Sequence, residues 1–512
     1  MHKYILFNVV GKTTLLDLLS NRKTTGSMKG KILFDGSPRT DDIARRSAYV
    51  MQDNVHLPML TIRQTLKYAS LLRMRQSLSS EKKQARVSQL ITMLGLTEHA
   101  DTIVGDARVR GISGGQAKRL SIGVEIINLP DIIFLDEPTS GLDSSISLEV
   151  FAAIRMLASQ NRTIIATIHQ PSTALYSMFD KLLLMADGHV IFYGDANFAV
   201  DYFISSPVAF QYTRGSNPAE FVIAVAGSLH SASSAFQQSS EESSSDYTVE
   251  AMVRYYQKTK FYESLLSHVD CRPIAGEFLP VVTTYTAAFN TSTFFQILVL
   301  SERDMRNRIK DPYATITDLM MHLMVSLFYG SIYYQLDNTQ YQERLCVLFF
   351  SLIFMIMGHQ KQMPVIFRER LLFYRERSAG AYGAIAYWIA SIFVTLPFIV
   401  VNVFIYAITV QKLVGLRNEA GNFFDFLLTL FLISITGMFA CRAVAALAPS
   451  EQAAINLFPA LIQFLMAFSG FGIFLPVMQT WLAVWAPYVT FVRWLLSMCN
   501  SFYVLVVMSN LY

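Results

Sequence analysis

The stretch "DIIFLDEP" (residues 131–138) decides the fold class of the N-terminal half. It is an apolar run that ends in two acids, Asp136 and Glu137. Open α/β sheets bind ligands at the carboxyl ends of their strands, so a buried strand here would deliver both carboxylates to a binding site. There Asp136 would hold Mg²⁺, directly or through water, and Glu137 would polarise an attacking water as a general base. For an isolated acid pair, capping of the next helix is the alternative.

Other apolar runs extend this pattern through the first half of the chain. They are "KILF" (31–34), "RTIIATI" (162–168) and "KLLLM" (181–185), with helix-like segments between several of them. Strands that alternate with helices are typical of an α/β domain with a mainly parallel sheet. We therefore predict such a domain over residues 1–227.

The segment "LFNVVGKTTLL" (6–16) contains the end of a phosphate-binding loop, which is normally G-x-x-x-x-G-K-[ST]. Gly11 would let the backbone approach a phosphate, Lys12 would reach the β- and γ-phosphate oxygens, and Thr13 would ligate Mg²⁺. Backbone N–H groups of the next helix, where Thr14 lies, would complete the anion site. The alternative is a lysine at an ordinary helix start.

Two positions of this loop depart from the motif. Leu6 stands where the first glycine is expected, and Val9 stands where many such loops have another glycine. A β-carbon at either place would crowd backbone that wraps the phosphates and would strain left-handed conformations. We therefore expect a weakened phosphate loop.

A second phosphate cradle is predicted in "GISGGQAKRLSIG" (111–123). Ser113, Gly114, Gly115 and Gln116 precede a helix-like run, and small residues there leave backbone N–H groups accessible at a helix N-terminus. Taken alone, the same residues would be a simple loop.

Taken together and in this order, the segments resemble the nucleotide-binding domain of ABC transporters, from Gly11 to about Asp195. "ISGGQ" corresponds to the signature motif, and "LDEPTSGLD" (135–143) to the Walker B motif and D-loop. Gln52 in "YVMQD" corresponds to the Q-loop, and His169 in "TIHQPS" to the H-loop.

The resemblance implies roles for these residues. Gln52 and His169 would contact the metal or water and the γ-phosphate, beside the catalytic Glu137. The signature residues 113–116 would touch an ATP molecule bound to a partner subunit, and Asp143 would cross the dimer interface. The implied cofactors are ATP and Mg²⁺, with Thr13, Gln52 and Asp136 as the metal-binding residues.

The second half of the chain has the composition of a membrane domain. Of the 512 residues, 52% are hydrophobic and 16% charged, with a mean hydropathy of +0.35. A membrane span needs about 20 mostly apolar residues. Five segments qualify, and a sixth at 489–507 is doubtful because it contains Arg493 and Asn500. The five are 315–336, 345–366, 384–410, 426–448 and 453–474.

Between the halves, residues 228–284 are predicted to form a linker. Its first part, residues 228–250, is rich in serine and poor in apolar residues, so we expect it to be disordered. The membrane domain would then occupy residues 285–512.

The distribution of basic residues predicts the topology. Five lysines and arginines lie in residues 361–377, and the positive-inside rule places this segment in the cytoplasm. The α/β domain is then cytoplasmic as well, and the sequons at Asn161 and Asn290 are chance matches. The net charge of +4 does not require a nucleic-acid partner, and the four cysteines lack metal spacing.

The domain order resembles the G subfamily of ABC transporters, the half-size White/Brown-complex proteins. "TIHQPS", "NPAEF" (217–221) and "FYRERSAGAYG" (373–383) carry this resemblance. Residues 289–312 resemble the family's amphipathic elbow helix, in which Arg303, Arg306, Arg308 and Lys310 would lie near anionic lipid. The alternative for these residues is a solvated cytoplasmic face.

The subfamily implies an ATP-hydrolysing half-transporter that works as a homodimer or heterodimer. It would export an amphipathic or lipid-like substrate, with membrane lipid around it, and we expect the plasma membrane as its location. The charge-free spans at 384–410 and 453–474 exclude a soluble ABC ATPase.

Two alternatives remain open, and both rest on how the chain departs from the family. The family has strands before the phosphate loop and a sixth span, and from the sequence we expect neither of them in this chain. We expect a truncated gene model or splice variant, the other account being a genuinely shortened protein. The chain would then be an inactive truncated isoform, or a non-catalytic subunit whose "ISGGQ" completes a partner's ATP site.

Within the membrane half, isolated charges should face a cavity or another helix because charge is costly in lipid. We expect Asp318 and Arg442 to be structural ion-pair or relay groups. Side chains around 464–474 are expected to line a substrate cavity, with helix packing as the alternative for each.

Overall fold

The computed structural model describes residues 4–8, 12–22, 26–34, 37–38, 46–106, 108–160, 162–208, 210–213, 215–236, 248–270, 289–337, 339–416 and 420–467. The chain forms two compact units. One is drawn from Met1–Val299 and Arg375–Ala384, and the other from Leu300–Tyr374 and Ile385–Tyr512.

The first unit is built on a six-stranded sheet in the order β4-β5-β6-β1-β7-β8. Its first five strands in that order are parallel, and β7 and β8 form an antiparallel pair. A short antiparallel pair, β2 and β3, lies apart from this sheet. The bounds are β1 Tyr4–Asn8, β2 Leu33–Phe34, β3 Ser37–Pro38, β4 Ser47–Val50, β5 Ile132–Leu135, β6 Thr163–Thr167, β7 Lys181–Ala186 and β8 His189–Asp195.

Helices of the first unit connect and cover these strands, as an α/β fold requires. They are α1 Lys12–Leu19, α2 Ile62–Arg73, α3 Ser80–Met93, α4 Gly114–Glu125, α5 Ser144–Ala158, α6 Thr173–Tyr176, α7 Ala199–Ile204, α8 Pro218–Phe236, α9 Val249–Gln257 and α10 Lys260–Asp270. Several helix starts carry polar caps that the sequence encodes. Ser113 caps α4, and Asp143 caps α5 by accepting a hydrogen bond from the Ile146 N–H at 2.8 Å.

The structure differs from the predicted linker over two stretches. Helix α8 continues to Phe236, and α9 begins at Val249. Val249, Met252 and Tyr256 are buried in the same hydrophobic core as the sheet. The reason is an apolar stripe at helical spacing that begins where the serine-rich run ends, so α9 can bury enough surface to fold. Residues 237–247 and 271–288 of the predicted linker lie outside the described residues.

The second unit is helical. Helix α11, Thr293–Ile309, is shared by the two units along the chain. It is followed by α12 Pro312–Ile332, α13 Tyr341–Met357, α14 Met363–Ser378, α15 Ala384–Val414, α16 Ala420–Leu447 and α17 Glu451–Ala467. Four helical stretches within the described residues are long and apolar enough to cross a membrane. They are Pro312–Ile332, Tyr341–Ser378, Ala384–Val414 and Gly421–Leu447.

The predicted spans agree with these helices except at the chain's end. The fifth, 453–474, overlaps α17, but the described part of that helix ends at Ala467. The doubtful sixth span, 489–507, lies outside the described residues. The basic segment 361–377, predicted as a loop, is almost entirely helical within α14.

The basic side chains of α11, the predicted elbow helix, are less exposed than a solvated basic face requires. Arg303 on α11 is 4% exposed and pairs with Asp304, and Arg308 stacks on the ring of Phe398. These two side chains are therefore engaged within the protein and do not form a solvated basic face. Arg306 and Lys310 are the exposed members, and Glu302 lies one helical turn from Arg306.

The two isolated charges of the membrane spans have partners on other helices. Asp318 pairs with Lys361 and accepts a hydrogen bond from Asn402 at 3.0 Å. Arg442 donates to the hydroxyls of Ser391 and Thr395. This arrangement agrees with the expected position of such charges against partner helices.

Candidate nucleotide site

The site begins at Asp136, directly after β5. Its N–H donates to the carbonyl of Val50 at 2.9 Å, so the pairing of β5 with β4 continues into the acid. The residue is 7% exposed, and one carboxylate oxygen accepts hydrogen bonds from the hydroxyls of Thr167 at 2.7 Å and Thr13 at 3.5 Å. The other oxygen accepts a hydrogen bond from the Tyr49 hydroxyl at 3.4 Å. The Tyr49 hydroxyl lies closer to the Asp17 carboxylate, at 2.9 Å, so the short hydrogen bond from Thr167 contributes most to fixing Asp136.

Burial makes the negative charge of Asp136 expensive. Desolvation raises the pKa of its carboxyl, the hydrogen bond from Thr167 opposes that change, and the neighbouring charge of Glu137 adds to it. A cation at this carboxylate would offset the penalty, and Mg²⁺ prefers oxygen ligands of this kind. The oxygens of Asp136 and Thr13 therefore fit the metal. Among the described residues there is no group of three or more His, Cys, Asp or Glu side chains that could hold a metal.

Glu137 has an unusual backbone conformation. Its φ of 44° is in the left-handed region, which is rare for a residue other than glycine. Its N–H donates to the Thr167 hydroxyl oxygen at 2.9 Å. Its carboxylate accepts a hydrogen bond from the Gln52 side chain at 2.9 Å, and that amide also lies 3.4 Å from the Ser140 hydroxyl. The predicted Q-loop and Walker B residues are thus in direct contact.

A buried lysine holds the Q-loop backbone. Lys118 on α4 is 1% exposed, and its ammonium donates to the carbonyls of Gln52 at 2.6 Å and Met51 at 3.3 Å. Burial lowers the pKa of Lys118, while the acids Asp53, Asp136 and Glu137 oppose that shift. Lys118 therefore links the helix that follows the signature motif to the residue that contacts Glu137.

The phosphate-loop region differs from the sequence prediction. Strand β1 lies between β6 and β7, and Leu6 is in register with Thr167 and Leu183. The prediction that Leu6 belongs to the loop is therefore wrong, because residues 4–8 form the central strand. Helix α1 begins at Lys12, with Thr13 and Thr14 exposed in its first turn. Gly11 and Val9 lie outside the described residues.

The signature residues form a capped helix start. The Ser113 hydroxyl accepts from the Gln116 N–H at 3.3 Å, and the Gln116 side chain accepts from the Ser113 N–H at 2.9 Å. Ser113 and Gly114 are exposed, whereas Gly115 is buried. A β-carbon on Gly115 would lie 2.2 Å from Cγ2 of Ile146 on α5. This glycine is therefore also needed for helix packing.

His169 and Glu137 line one cavity of about 400 Å³ next to the D-loop. Its other walls come from the D-loop, the start of α5 and the residues after His169, namely Thr139, Ser140, Gly141, Leu142, Ser144, Ser147, Gln170, Pro171, Ser172 and Leu175. Asn217 of the "NPAEF" segment donates to the Pro171 carbonyl at 2.9 Å and so ties down the chain beyond His169. Asp143, predicted to cross a dimer interface, here caps its own helix.

The structure thus brings four predicted site residues into one hydrogen-bonded group: Thr13, Gln52, Asp136 and Glu137. Sequence analysis missed Thr167, Tyr49 and Lys118. A signal existed for Thr167, because it lies near the end of the apolar run 162–168, two residues before His169. No sequence pattern distinguishes Lys118 from the other lysines of the unit.

Comparison with known proteins places this geometry in a family. Residues 8–140 match the ABC transporter model, and residues 295–502 match the ABC-2 type transporter model. The broad substrate specificity ATP-binding cassette transporter ABCG2 of Bos taurus is 31% identical over 500 residues, covering 94% of this chain and 75% of that protein. The chain belongs to the G family of ABC transporters.

Other relatives carry the same family name. ABC transporter G family member 21 of Arabidopsis thaliana is 33% identical over 83% of this chain and 63% of its own length. G family member 3 of Dictyostelium discoideum is 30% identical over 94% of this chain and 34% of its own length. The chain is therefore an ATP-binding half-transporter of the membrane, with an N-terminal ABC domain and a C-terminal helical domain.

The helical unit of this transporter contains a cavity of about 420 Å³. Its lining is mainly apolar, with Met321, Phe354, Met357 and Ile455 among its walls. Lys361 and Gln360 supply polar groups at the same cavity. The predicted substrate-lining stretch 464–474 does not line it within the described residues.

Proposed function

We propose that this chain hydrolyses ATP and uses the energy to export an amphipathic or lipid-like substrate as one half of a dimer. The observation that supports the proposal best is the contact between Gln52 and Glu137 beside the buried Asp136. It joins a predicted general base, a predicted metal ligand and a predicted sensor of the γ-phosphate at the carboxyl edge of the parallel sheet.

Each residue of the group has a proposed role. Asp136 and Thr13 hold Mg²⁺, which when bound neutralises charge on the phosphate oxygens. Lys12, Gly11 and Thr14 contact the phosphates. Glu137 orients and deprotonates the attacking water, and Gln52 holds the Glu137 carboxylate through the hydrogen bond at 2.9 Å.

His169 contacts the γ-phosphate in the cavity that it lines together with Glu137. An imidazole N–H can donate to a phosphate oxygen as the charge on it grows. The strained backbone of Gln170, with φ of 47°, directly follows His169 and supports a defined geometry there.

The proposed dimer follows from the signature helix. Ser113 and Gly114 are exposed at the N-terminus of α4, where backbone N–H groups and the helix dipole favour an anion. A phosphate of ATP bound to a second subunit is the proposed anion. The D-loop with Asp143 would then face that subunit.

The proposed substrate class rests on the cavity of the helical unit. Apolar walls with a few polar groups fit a molecule that is mostly apolar and carries a polar end. The relative from Bos taurus is named for broad substrate specificity, in keeping with an apolar cavity that selects weakly. We place the transporter in the plasma membrane with its ATP-binding domain in the cytoplasm, as the basic residues of 361–377 favour.

The decisive experiment is the Glu137→Gln variant of the purified full chain in lipid nanodiscs. We expect vanadate-sensitive ATP hydrolysis in the wild type and a loss of at least about 100-fold in the variant, because loss of general-base catalysis typically costs about 10²–10⁴-fold. Glu98→Gln, at an exposed position of the same unit, should keep the wild-type rate. An equal rate in the wild type and Glu137→Gln would refute the proposal.

A second candidate is a non-catalytic subunit that lends its signature motif to a partner. One observation favours it: β1 extends to Asn8, which leaves only residues 9–11 between the strand and α1. Such a subunit would respond to Glu137→Gln in the opposite way. In a complex with its catalytic partner, Ser113→Arg would abolish hydrolysis and Glu137→Gln would leave it unchanged.

A further inference from the structure

One hydroxyl group lies between the two acids of the site. Thr167 ends β6 and is 0% exposed. Its hydroxyl donates to the Asp136 carboxylate at 2.7 Å, and the same oxygen accepts from the Glu137 N–H at 2.9 Å. A threonine hydroxyl offers one donor and two acceptor lone pairs, so both bonds can exist together.

The bond to Glu137 acts on a strained residue. Left-handed backbone in a residue other than glycine is strained and persists only where the surroundings enforce it. The Thr167 oxygen holds the N–H of Glu137, and the Gln52 amide holds its carboxylate. The backbone and the side chain of the proposed base are thus fixed from two sides.

The position of Thr167 is itself rigid. It pairs in register with Leu6 of the central strand β1. Its neighbour Ala166 pairs with Leu135, the last residue of β5 before the two acids. The hydroxyl therefore has a fixed place relative to the end of β5.

We propose that Thr167 is a positioning residue that sets the backbone conformation of Glu137, and with it the place of the general base. This inference rests on the proposed ATP hydrolysis for its kinetic consequence, whereas its structural consequence stands without it. The hydroxyl acts through Glu137 and Asp136 and does not itself touch nucleotide.

The test compares Thr167→Val, which keeps the shape and removes the hydroxyl, with Thr167→Ser, which keeps the hydroxyl. In full-length protein in nanodiscs, we expect kcat to fall at least about tenfold in the valine variant, with the KM for ATP within about threefold of wild type. Serine should restore kcat to within about threefold. Thr163→Val makes the same change at the other end of β6 and should leave kcat unaltered.

Hydrogen exchange gives a readout that does not depend on activity. In the nucleotide-free protein, the amide of Glu137 should exchange at least about tenfold faster in Thr167→Val than in the wild type or Thr163→Val. Unchanged exchange at Glu137, or wild-type kcat in Thr167→Val, would overturn the inference.

If the wild type lacks ATPase activity, the proposed function fails and exchange alone decides the role of Thr167. If the valine variant does not fold, Thr167→Ser and Thr167→Ala replace it. The role is supported if the Glu137 amide exchanges as slowly in Thr167→Ser as in the wild type and faster in Thr167→Ala. Equal exchange in the two variants refutes it.

Discussion

His56 shows how a single side chain can make stability depend on pH. Its Nε2 lies 2.8 Å from the Ser121 hydroxyl, and its Nδ1 atom is buried. Burial, with the positive charges of Arg375 and Lys118, lowers the pKa of His56 well below its ordinary value of 6.5. In the folded state the ring therefore stays neutral, whereas in the unfolded chain it becomes protonated as the pH falls through 6.5.

We predict that His56→Gln reduces the acid sensitivity of the ATP-binding unit. A depressed histidine pKa leaves stability complete above about pH 6.5 and removes about 1 kcal/mol between pH 6.5 and 5.5. Thermal unfolding across pH 7.5 to 5.5 should therefore fall less steeply in the variant than in the wild type. His189→Gln, at an exposed position of β8, is the control and should follow the wild type. Parallel curves for His56→Gln and wild type would contradict the prediction.

The sequence predicted the site residues that follow a strand, but it did not predict the residues that hydrogen-bond to them. Asp136 and Glu137 follow an apolar run, so their place at the sheet edge was predictable. Thr167, Tyr49 and Lys118 act through contacts with residues far away in the chain, such as the 67 positions between Lys118 and Met51. A single sequence does not show which residues far apart in the chain come into contact. The roles of all these residues remain predictions.

At the scale of elements, the first two residues of α4 offer a matched pair. A β-carbon on Gly115 would lie 2.2 Å from Cγ2 of Ile146, whereas one on Gly114 would lie 3.7 Å from Leu142. The first distance requires the Ile146 side chain or the two helix starts to shift, and the second is ordinary contact. The close approach of the two helix starts therefore depends on one glycine.

We predict that Gly115→Ala destabilises the ATP-binding unit by about 1–3 kcal/mol, the usual cost of an overpacked contact. Gly114→Ala should change stability by less than about 1 kcal/mol. Adding Ile146→Ala to Gly115→Ala should recover part of the loss, because residues in contact show non-additive effects. Chemical unfolding followed by circular dichroism measures the wild type, the three single variants and the double variant. Equal destabilisation by both alanines, or strict additivity with Ile146→Ala, would contradict the packing argument.

The same scale shows where prediction of elements succeeded and failed. Strands β5, β6 and β7 lie where their apolar runs predicted, because a strand buried in a parallel sheet is continuously apolar. The prediction that Leu6 lies in a loop is wrong because the parallel sheet has a strand directly before the loop, and residues 4–8 form it. Helix α9 was missed because its short apolar stripe adjoins a polar run that dominated the local composition.

At the scale of the whole molecule, the proposed dimer divides each ATP site between two chains. One chain supplies Asp136 and Glu137, and the other supplies Ser113. The separate positions of these residues in the structure, at the carboxyl end of β5 and at the N-terminal cap of α4, are consistent with that division. Two variants combined in one dimer should therefore behave differently from the same variants in a protein whose ATP site lies within one chain.

We predict that two inactive variants complement each other when they are co-expressed. Glu137→Gln and Ser113→Arg should each abolish hydrolysis as homodimers. In a mixed dimer, both defects fall on one site, and the second site combines the intact Glu137 of one chain with the intact Ser113 of the other. Half of the dimers should be mixed at equal expression, and each has one intact site of two, so about a quarter of wild-type activity should return if the sites act independently.

Two controls make the result interpretable. The variants should be purified separately and combined in nanodiscs that already contain homodimers, where no activity should return because subunits cannot exchange. Tandem affinity tags on the two variants should isolate the mixed dimers, whose activity per dimer should then approach half that of the wild type. Activity of either variant alone would place a complete site within one chain. Pure mixed dimers without activity would show that this chain cannot complete an ATP site for its own copy, and would direct attention to a heterologous partner that binds the exposed N-terminus of α4.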